Sequence, residues 1–439
     1  MNTNNTTTTT NDINLSQQMS GDMDDALSMH LNVRPVHEDL LRLSEELVTE
    51  LNPKRLTPLQ TKKALESMNM VIANLYLCYQ HWKLLGSVYG HIPWLSYSRN
   101  KNKYLIASRY KASDITYRTV IEKTVTPLIQ AGLLYEVPGF FNSATGSGRQ
   151  GRLGFEGFRL MSTFEDVFVS SQLRKQPAVE LLPDSEVLIL KNHEGDLVDY
   201  ADTPATIAQR SFIVEANTFL TSQSITLNGQ QLAPLRMRRI YNQNSWKLGG
   251  RLYEHAWQNL PKIVRAQLQS NGSEMIERDY SGLHMNMAYA MVTGAVCPSY
   301  PYDYTAYGLD LALFKPLMKV ATLIVYNCDN VNKAMRAINM KIRELPAELR
   351  KQVSGKKVLK MIQEKHQAIS NLFCSGFGLA LQYADSQLTS SILGQCMRDG
   401  VVALPVHDSY IVPVEHDDYI KGLMGDVFMQ KYRCEIGVE

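Results

Sequence analysis

Residues 275–284 read MIERDYSGLH and residues 401–413 read VVALPVHDSYIVP. In the first stretch, apolar Met275-Ile276 precede Asp279 and a helical run, Met285 to Val292, follows it. That order predicts a strand ending at Asp279, where a helix begins. In the second, apolar runs flank His407-Asp408-Ser409 on both sides. This is the pattern of a β-hairpin turn or of the middle of a buried strand. A carboxylate in so apolar a run is costly unless it is paired, hydrogen-bonded or bound to metal. Two strand-borne carboxylates brought together can hold two Mg²⁺ ions roughly 3.5–4 Å apart, with Mn²⁺ as a substitute. Competing uses of these residues are an N-cap for Asp279 and a tight-turn cluster for His407-Asp408-Ser409. A Ser-His-Asp hydrolase is disfavoured, because immediate neighbours on a strand point to opposite faces.

Between the two aspartates lies a cationic helix candidate, Phe314 to Asn327. Lys315 and Lys319 are i and i+4, so they share a face and suit a triphosphate. Tyr326 or Asn327, about two turns on, would meet the base or sugar. Upstream stands Gly249-Gly250-Arg251-Leu-Tyr253, then Trp257-Gln-Asn-Leu-Pro261.

The ordered set GGRLYEHAWQNLPK, IERDYSGLH, KPLMKVATLIVYN, LALQYADS and PVHDSYIV resembles the core of family A DNA polymerases. It also resembles the related single-subunit RNA polymerases of phages and mitochondria. The resemblance covers about residues 236 to 439. It implies a right-hand polymerase core, an antiparallel palm sheet with helical fingers at about 300–375, within residues 249–439. It implies that Asp279 and Asp408 bind two catalytic Mg²⁺ ions with the Tyr280 carbonyl as a further ligand. Lys315 and Lys319 would hold the triphosphate. Arg251, Gln382 and His407 would contact primer and template. Tyr326 or Asn327 would line the nucleotide pocket, and His284 occupies the sugar-sensing position. The chain departs from the pattern at Lys315, usually Arg, at Pro316, at the spacing to Tyr326 and at Asn327, usually Gly. His284 replaces the Glu of the DNA polymerases, and His-Asp-Ser matches the RNA polymerases better. The choice between deoxy- and ribonucleotides stays open.

Upstream of this region, KYLIASRYKASDITYRTVIEKTVTPLIQAGLLYEV reads helix, turn, helix, with Ser113 or Asp114 as a cap and Gly132 as a stop. A hairpin with a basic tip, Asn142 to Arg152, follows, and its alternation runs to Leu160-Met161. Helix-turn-helix plus hairpin resembles a winged helix over residues 91–170. The helix Tyr117 to Gln130 would then enter the major groove and the wing would touch phosphates. Candidate DNA contacts are Arg109, Lys111, Arg118, Lys123, Arg149 and Arg152. Residues 1–32, rich in Asn and Thr, read as a disordered tail. Residues 33–90 read as a helical region in which Thr57-Pro58 opens a long helix. Residues 171–248 read as a thumb-like connector, with a strand near Val187–Leu190 and a helix at Thr206–Leu220.

The whole is α+β, and 439 residues suggest several domains. Six scattered cysteines form no metal or disulfide pattern. With no signal peptide and no long apolar run, the expectation is a cytoplasmic protein without a membrane partner. The net charge of +2 hides segregation. Residues 99–159 carry 10 Lys/Arg against 4 Asp/Glu, residues 236–265 carry 7 against 1, and residues 333–365 carry 10 against 3. Such basic windows suit a nucleic-acid partner. The expected function is template-directed nucleotide polymerisation on a DNA template and primer from nucleoside triphosphates. It would serve replication or primer synthesis for a plasmid, phage or satellite, with partner replication proteins. Two other readings stand beside it: a DNA-binding initiator with an inactive core, and a template-independent nucleotidyltransferase.

Overall fold

A computed structural model describes residues 26–439 except 53, 90–91, 106–107, 112–113, 143–146, 183–184 and 234. These residues are mixed α+β with mostly antiparallel strands, and they divide into two compact units. None of the described helices is long and apolar enough to cross a membrane.

The first unit holds residues up to Val187 together with Thr221–Arg236 and Glu254–Gly272. Its helix Glu38–Leu51 buries Leu40, Leu43 and Leu47, the spacing of one apolar face. His37 caps it, its Nδ1 accepting the Asp39 N–H at 3.2 Å. The expected long helix is Pro58–Tyr89. Tyr76 and Phe155 meet Phe164 edge-on at 5.7 and 6.0 Å, the geometry that ring quadrupoles favour.

Of the expected helix-turn-helix, the second helix is present, and among the described residues of the first no α-helix forms. The first is replaced by two 3₁₀ turns, Lys101–Tyr104 and Ser108–Tyr110. The Asn100 side chain accepts the Asn102 N–H at 3.0 Å, a local bond that competes with helix formation. Ser113 lies outside the described residues. The second helix is wound wide over Arg118–Val125, where Thr126 N–H reaches back five residues to the Ile121 carbonyl. It closes with Thr126–Gln130. Pro127 explains the widening: it has no N–H to donate and would crowd the carbonyl four residues back. Gly132, at φ 67°, ends the helix as expected.

The hairpin is Leu134–Val137 paired with Gly151–Phe155, which also pairs with Leu95–Tyr97. Its tip carries Phe140–Asn142 against Ser147–Arg149, and residues 143–146 lie outside the described set. The strand stops at Phe155. Leu160 already belongs to the helix Arg159–Arg174, where it shares a buried face with Phe164 and Val167.

Two expected boundaries move. Residues 1–25 of the expected tail lie outside the described residues, but Leu27–Ser28 pairs in parallel with Leu95–Ser96. The 171–248 connector is no body of its own. Its strand Leu188–Leu190 pairs with Arg238–Asn242 and is drawn into the second unit, whereas Val179–Leu181 pairs with Val33–Pro35 in the first.

The second unit holds Leu188–Leu220, Met237–Tyr253 and Ser273–Glu439. Ser273–Asp279 pairs antiparallel with Ser409–Pro413, which pairs with Leu404–Val406. A second sheet runs Leu188–Leu190, Arg238–Asn242, Ser245–Tyr253, and the helix Gly378–Arg398 packs on its last strand. The 300–375 region is helical as expected, with Leu311–Asn327, Val331–Arg343 and Gly355–Lys365.

Gly249 and Gly250 shape the 245–253 strand. Both sit at φ 84°, and the pairing register shifts beside them. A Cβ on Gly250 would stand 2.8 Å from Ser386 Oγ and 2.8 Å from the Tyr241 ring. Gly250→Ala is therefore expected to lower stability by about 2–4 kcal/mol, left-handed strain plus overpacking. Gly195→Ala, at φ 80° with nothing within 4 Å, should cost only the strain, about 1–2 kcal/mol. Urea midpoints of the two variants check the difference. Equal losses would mean that the close approach at Gly250 is unimportant.

Candidate active site

Asp279 ends the strand Ser273–Asp279, and the helix Leu283–Thr293 begins four residues later. Gly282, at φ 60°, makes the turn, and a Cβ there would stand 2.9 Å from Pro301 Cγ. Asp279 is therefore not the cap of that helix, since Gly282 takes the position. His407 and Asp408 form the two-residue turn between Leu404–Val406 and Ser409–Pro413, with His407 at φ 59°. Of the two settings open to His-Asp-Ser, the hairpin turn is the observed one.

The strands place Asp279 opposite Ser409, so Asp279 and Asp408 are diagonal neighbours at one end of the sheet. Tyr280 N–H points at the Asp408 carbonyl at 3.5 Å. In a strand the N–H and C=O of one residue face the same way, so the Tyr280 carbonyl is on the Asp408 side too. On the other edge, Asp279 and Glu439 exchange backbone hydrogen bonds of 3.0 and 2.8 Å. The Ser409 hydroxyl donates to Glu277 at 2.6 Å and lies 3.1 Å from the Val406 carbonyl. It is thus bound to Glu277, not to His407, which leaves no Ser-His pair of the hydrolase kind. The His407 ring stands edge-on to Tyr253 at 5.7 Å.

Beside this pair lies a buried polar chain. Arg251 follows the two glycines, and its Nε donates to Asp385 Oδ2 at 2.6 Å. Its Nη2 meets His284 Nε2 at 2.9 Å. The Arg251 side chain is 13% exposed and that of Asp385 1%. Burial pushes the Asp385 carboxyl up to about 7 against the pull of Arg251. Burial, then the Arg251 charge, takes His284 down to about 4, so its ring is neutral at pH 7. Arg251 thus faces inward, toward protein partners. Gln382 stands half-buried on the Gly378–Arg398 helix, nearly one turn before Asp385.

On the helix Leu311–Asn327, positions 315, 319, 322 and 326 fall on one stripe at 3.6 residues per turn. Lys315 in its second turn and Lys319 at its midpoint are exposed, whereas Tyr326 is buried near its end. The Tyr326 hydroxyl lies 3.1 Å from Met285 Sδ and its ring packs edge-on against Phe373. Asn327 is exposed, with its amide on the Leu323 carbonyl at 2.8 Å. Pro316 is accommodated in the second turn of a helix capped by Asp310.

The tyrosines of SYPYDYTAY, residues 299–307, were not singled out from the sequence. Lys315 stands 5.1 Å from the Tyr300 ring and interacts with its hydroxyl. Tyr302 is buried, and its hydroxyl is raised by burial and then by the nearby charge of Asp408. Four tyrosines within eight residues between two motif helices were the available signal. Asp385 left none, because a lone Asp within a helix reads like a solvated one.

In the first unit, Lys111, Arg118 and Lys123 are exposed, the last two on the 117–130 helix. Arg109 pairs with buried Glu186 at 3.4 Å. Arg149 stacks on Phe140 at 5.7 Å, and Arg152 bonds Ser96 Oγ at 2.5 Å. The chain matches no protein-family model and no curated protein.

His366 is fully buried, with Nδ1 3.1 Å from the Tyr289 hydroxyl and Nε2 3.1 Å from the Pro301 carbonyl. Burial lowers its pKa from 6.5 to about 4. The neutral ring is favoured in the folded state, so its contribution is full above pH 6.5 and is lost as pH falls toward 4. The loss should reach about 2–3 kcal/mol at pH 4. Urea midpoints across this window are expected to fall less steeply in His366→Gln than in the wild type. An unchanged slope would show that His366 charges freely in the fold.

Proposed function

We propose that this protein is a template-directed nucleotide polymerase with a right-hand core in its second unit. The observation that supports the reading most is the placement of Asp279 and Asp408 at one end of an antiparallel sheet, the first at a strand end and the second in a hairpin turn. The donor set fits Mg²⁺: two carboxylates and the Tyr280 carbonyl are hard oxygen ligands, and Mg²⁺ commonly takes one or two carboxylates plus phosphate oxygens. Bound there, two such ions would supply charge neutralisation at the phosphates and activation of the attacking hydroxyl.

The residues of the chain account for binding and orientation. Lys315 and Lys319, exposed on one stripe, suit a triphosphate. Tyr300 steadies Lys315, and the neighbouring Tyr302, raised by burial and then by the charge of Asp408, keeps its proton and remains a neutral hydroxyl able to donate and to accept. In the first unit, Lys111, Arg118 and Lys123 suit phosphate contacts on DNA, which would hold the template.

The test is incorporation of labelled dNTPs and NTPs with Mg²⁺ or Mn²⁺, with and without template and primer. Wild type should extend a primed or unprimed template, whereas Asp279→Ala and Asp408→Ala should each lose about 10²–10³-fold or more while still binding DNA. Lys315→Ala should raise KM for the nucleotide more than it lowers kcat. DNA binding without incorporation by the wild type would favour an inactive initiator. Incorporation without template would favour a template-independent enzyme.

A further inference from the structure

The Asp385–Arg251–His284 chain has a direction that its atoms impose. A guanidinium carries only N–H donors, so its 2.9 Å contact with His284 Nε2 requires that nitrogen to accept. A protonated imidazole would bring two donors together and is excluded by the same contact. The ring proton of His284 therefore sits on Nδ1. Arg251 is held in this aim from behind: its Nε is gripped at 2.6 Å by Asp385, which lies fully buried on the Gly378–Arg398 helix. The other Asp385 oxygen, Oδ1, is buried without a hydrogen-bond partner. Asp385 thus gives up solvent and makes one strong bond, the bond to Arg251. The glycine pair before Arg251 admits the close packing of the 245–253 strand on that helix, since a Cβ at Gly250 would meet Ser386 next to Asp385. Arg251 lines one small cavity with His407, the residue before Asp408, and the charge of Asp408 acts on both Arg251 and His284.

We propose that Asp385 is a positioning residue that acts through Arg251 to fix His284 as a neutral imidazole with its proton on Nδ1, so that position 284 offers a hydrogen-bond donor beside Asp408. A donor there suits a ligand that brings an acceptor. The functional half of this inference rests on the polymerase reading, in which the acceptor is a hydroxyl oxygen of the incoming nucleotide's sugar. Arg251 would then serve the site from within the protein, setting the partner that the sugar meets.

The experiment uses the full chain labelled with ¹⁵N-histidine. Two-bond ¹H–¹⁵N correlation spectra at pH 7 report the tautomer of His284, assigned by its loss in His284→Gln. Wild type is expected to show a neutral ring protonated on Nδ1. A charged ring, or a proton on Nε2, overturns the proposal without any variant. Arg251→Lys, which lacks the guanidinium fork, should shift the ring toward the other tautomer. Asp385→Asn, which keeps an acceptor, should disturb it less than Asp385→Ala, with thermal melts confirming that each variant is folded. In nucleotide incorporation, Asp385→Asn is expected to raise KM about tenfold while kcat changes less than about threefold. An unchanged KM in a variant whose His284 tautomer has moved overturns the link to the sugar. If the wild type incorporates no nucleotide at all, the polymerase reading falls, and the tautomer spectra still decide the positioning role.

Discussion

Strand side chains alternate between faces, so a slip of one residue between the 273–279 and 409–413 strands would put Arg278 where Asp279 now stands. Several contacts pin the register. Arg278, on the opposite face from Asp279, forms a two-pronged pair with Asp417 on the helix Asp417–Tyr432. Ser409 holds Glu277, the residue on the same face as Asp279. Tyr280 sends its hydroxyl to the Met424 carbonyl at 2.7 Å, tying the residue after Asp279 to the same helix. Each contact is modest alone; an exposed ion pair contributes about 0–1 kcal/mol. Their effect is on specificity, because all of them are satisfied in one register only.

A second constraint acts at right angles to the first. The 378–398 helix must approach the 245–253 strand closely enough for Asp385 to reach Arg251, and two glycines make that approach possible. The resulting ion pair is buried, which makes it weak evidence for net stability. Breaking it from one side would leave a lone buried charge and cost about 3–5 kcal/mol. The pair therefore resists piecemeal change, and what it secures is direction: a guanidinium aimed at His284 and near Asp408.

Much of this was legible in the residues. Asp279 at a strand end followed from an apolar run broken by a carboxylate, whereas the runs around Asp408 fitted a turn or a buried strand equally, and the fold has the turn. Pro58 and Gly132 marked helix ends through backbone chemistry that context rarely overrides. The failures share a cause. Before Tyr117 the described residues form 3₁₀ turns, the first capped by a local Asn100 side-chain bond, and the 171–248 segment was divided because its strands pair with distant partners. Neither event leaves a periodic trace. Asp385 and the tyrosines at 300 and 302 stayed hidden because their roles depend on what faces them across space.

Charge shows the same limit most clearly. The window 236–265 is strongly basic in composition, yet Arg238 and Arg239 are buried and Arg251 is nearly so. Arg236 spends its guanidinium on the Leu182 and Ser185 carbonyls at 2.6 and 2.9 Å. These cations bind their own fold. In the 333–365 window, Lys333, Lys341, Lys351 and Lys360 each stand near an acidic residue three or four positions away in sequence. Such exposed pairs are loose and salt-screened, so a phosphate can displace the carboxylate at little cost. A buried arginine cannot be recruited in that way. Lys111, Arg118 and Lys123 in one unit and Lys333, Lys341, Lys351 and Lys360 in the other are thus exposed cations of the basic windows that remain open to an anionic ligand. Arg238, Arg239 and Arg251 are held within the interior of their own unit.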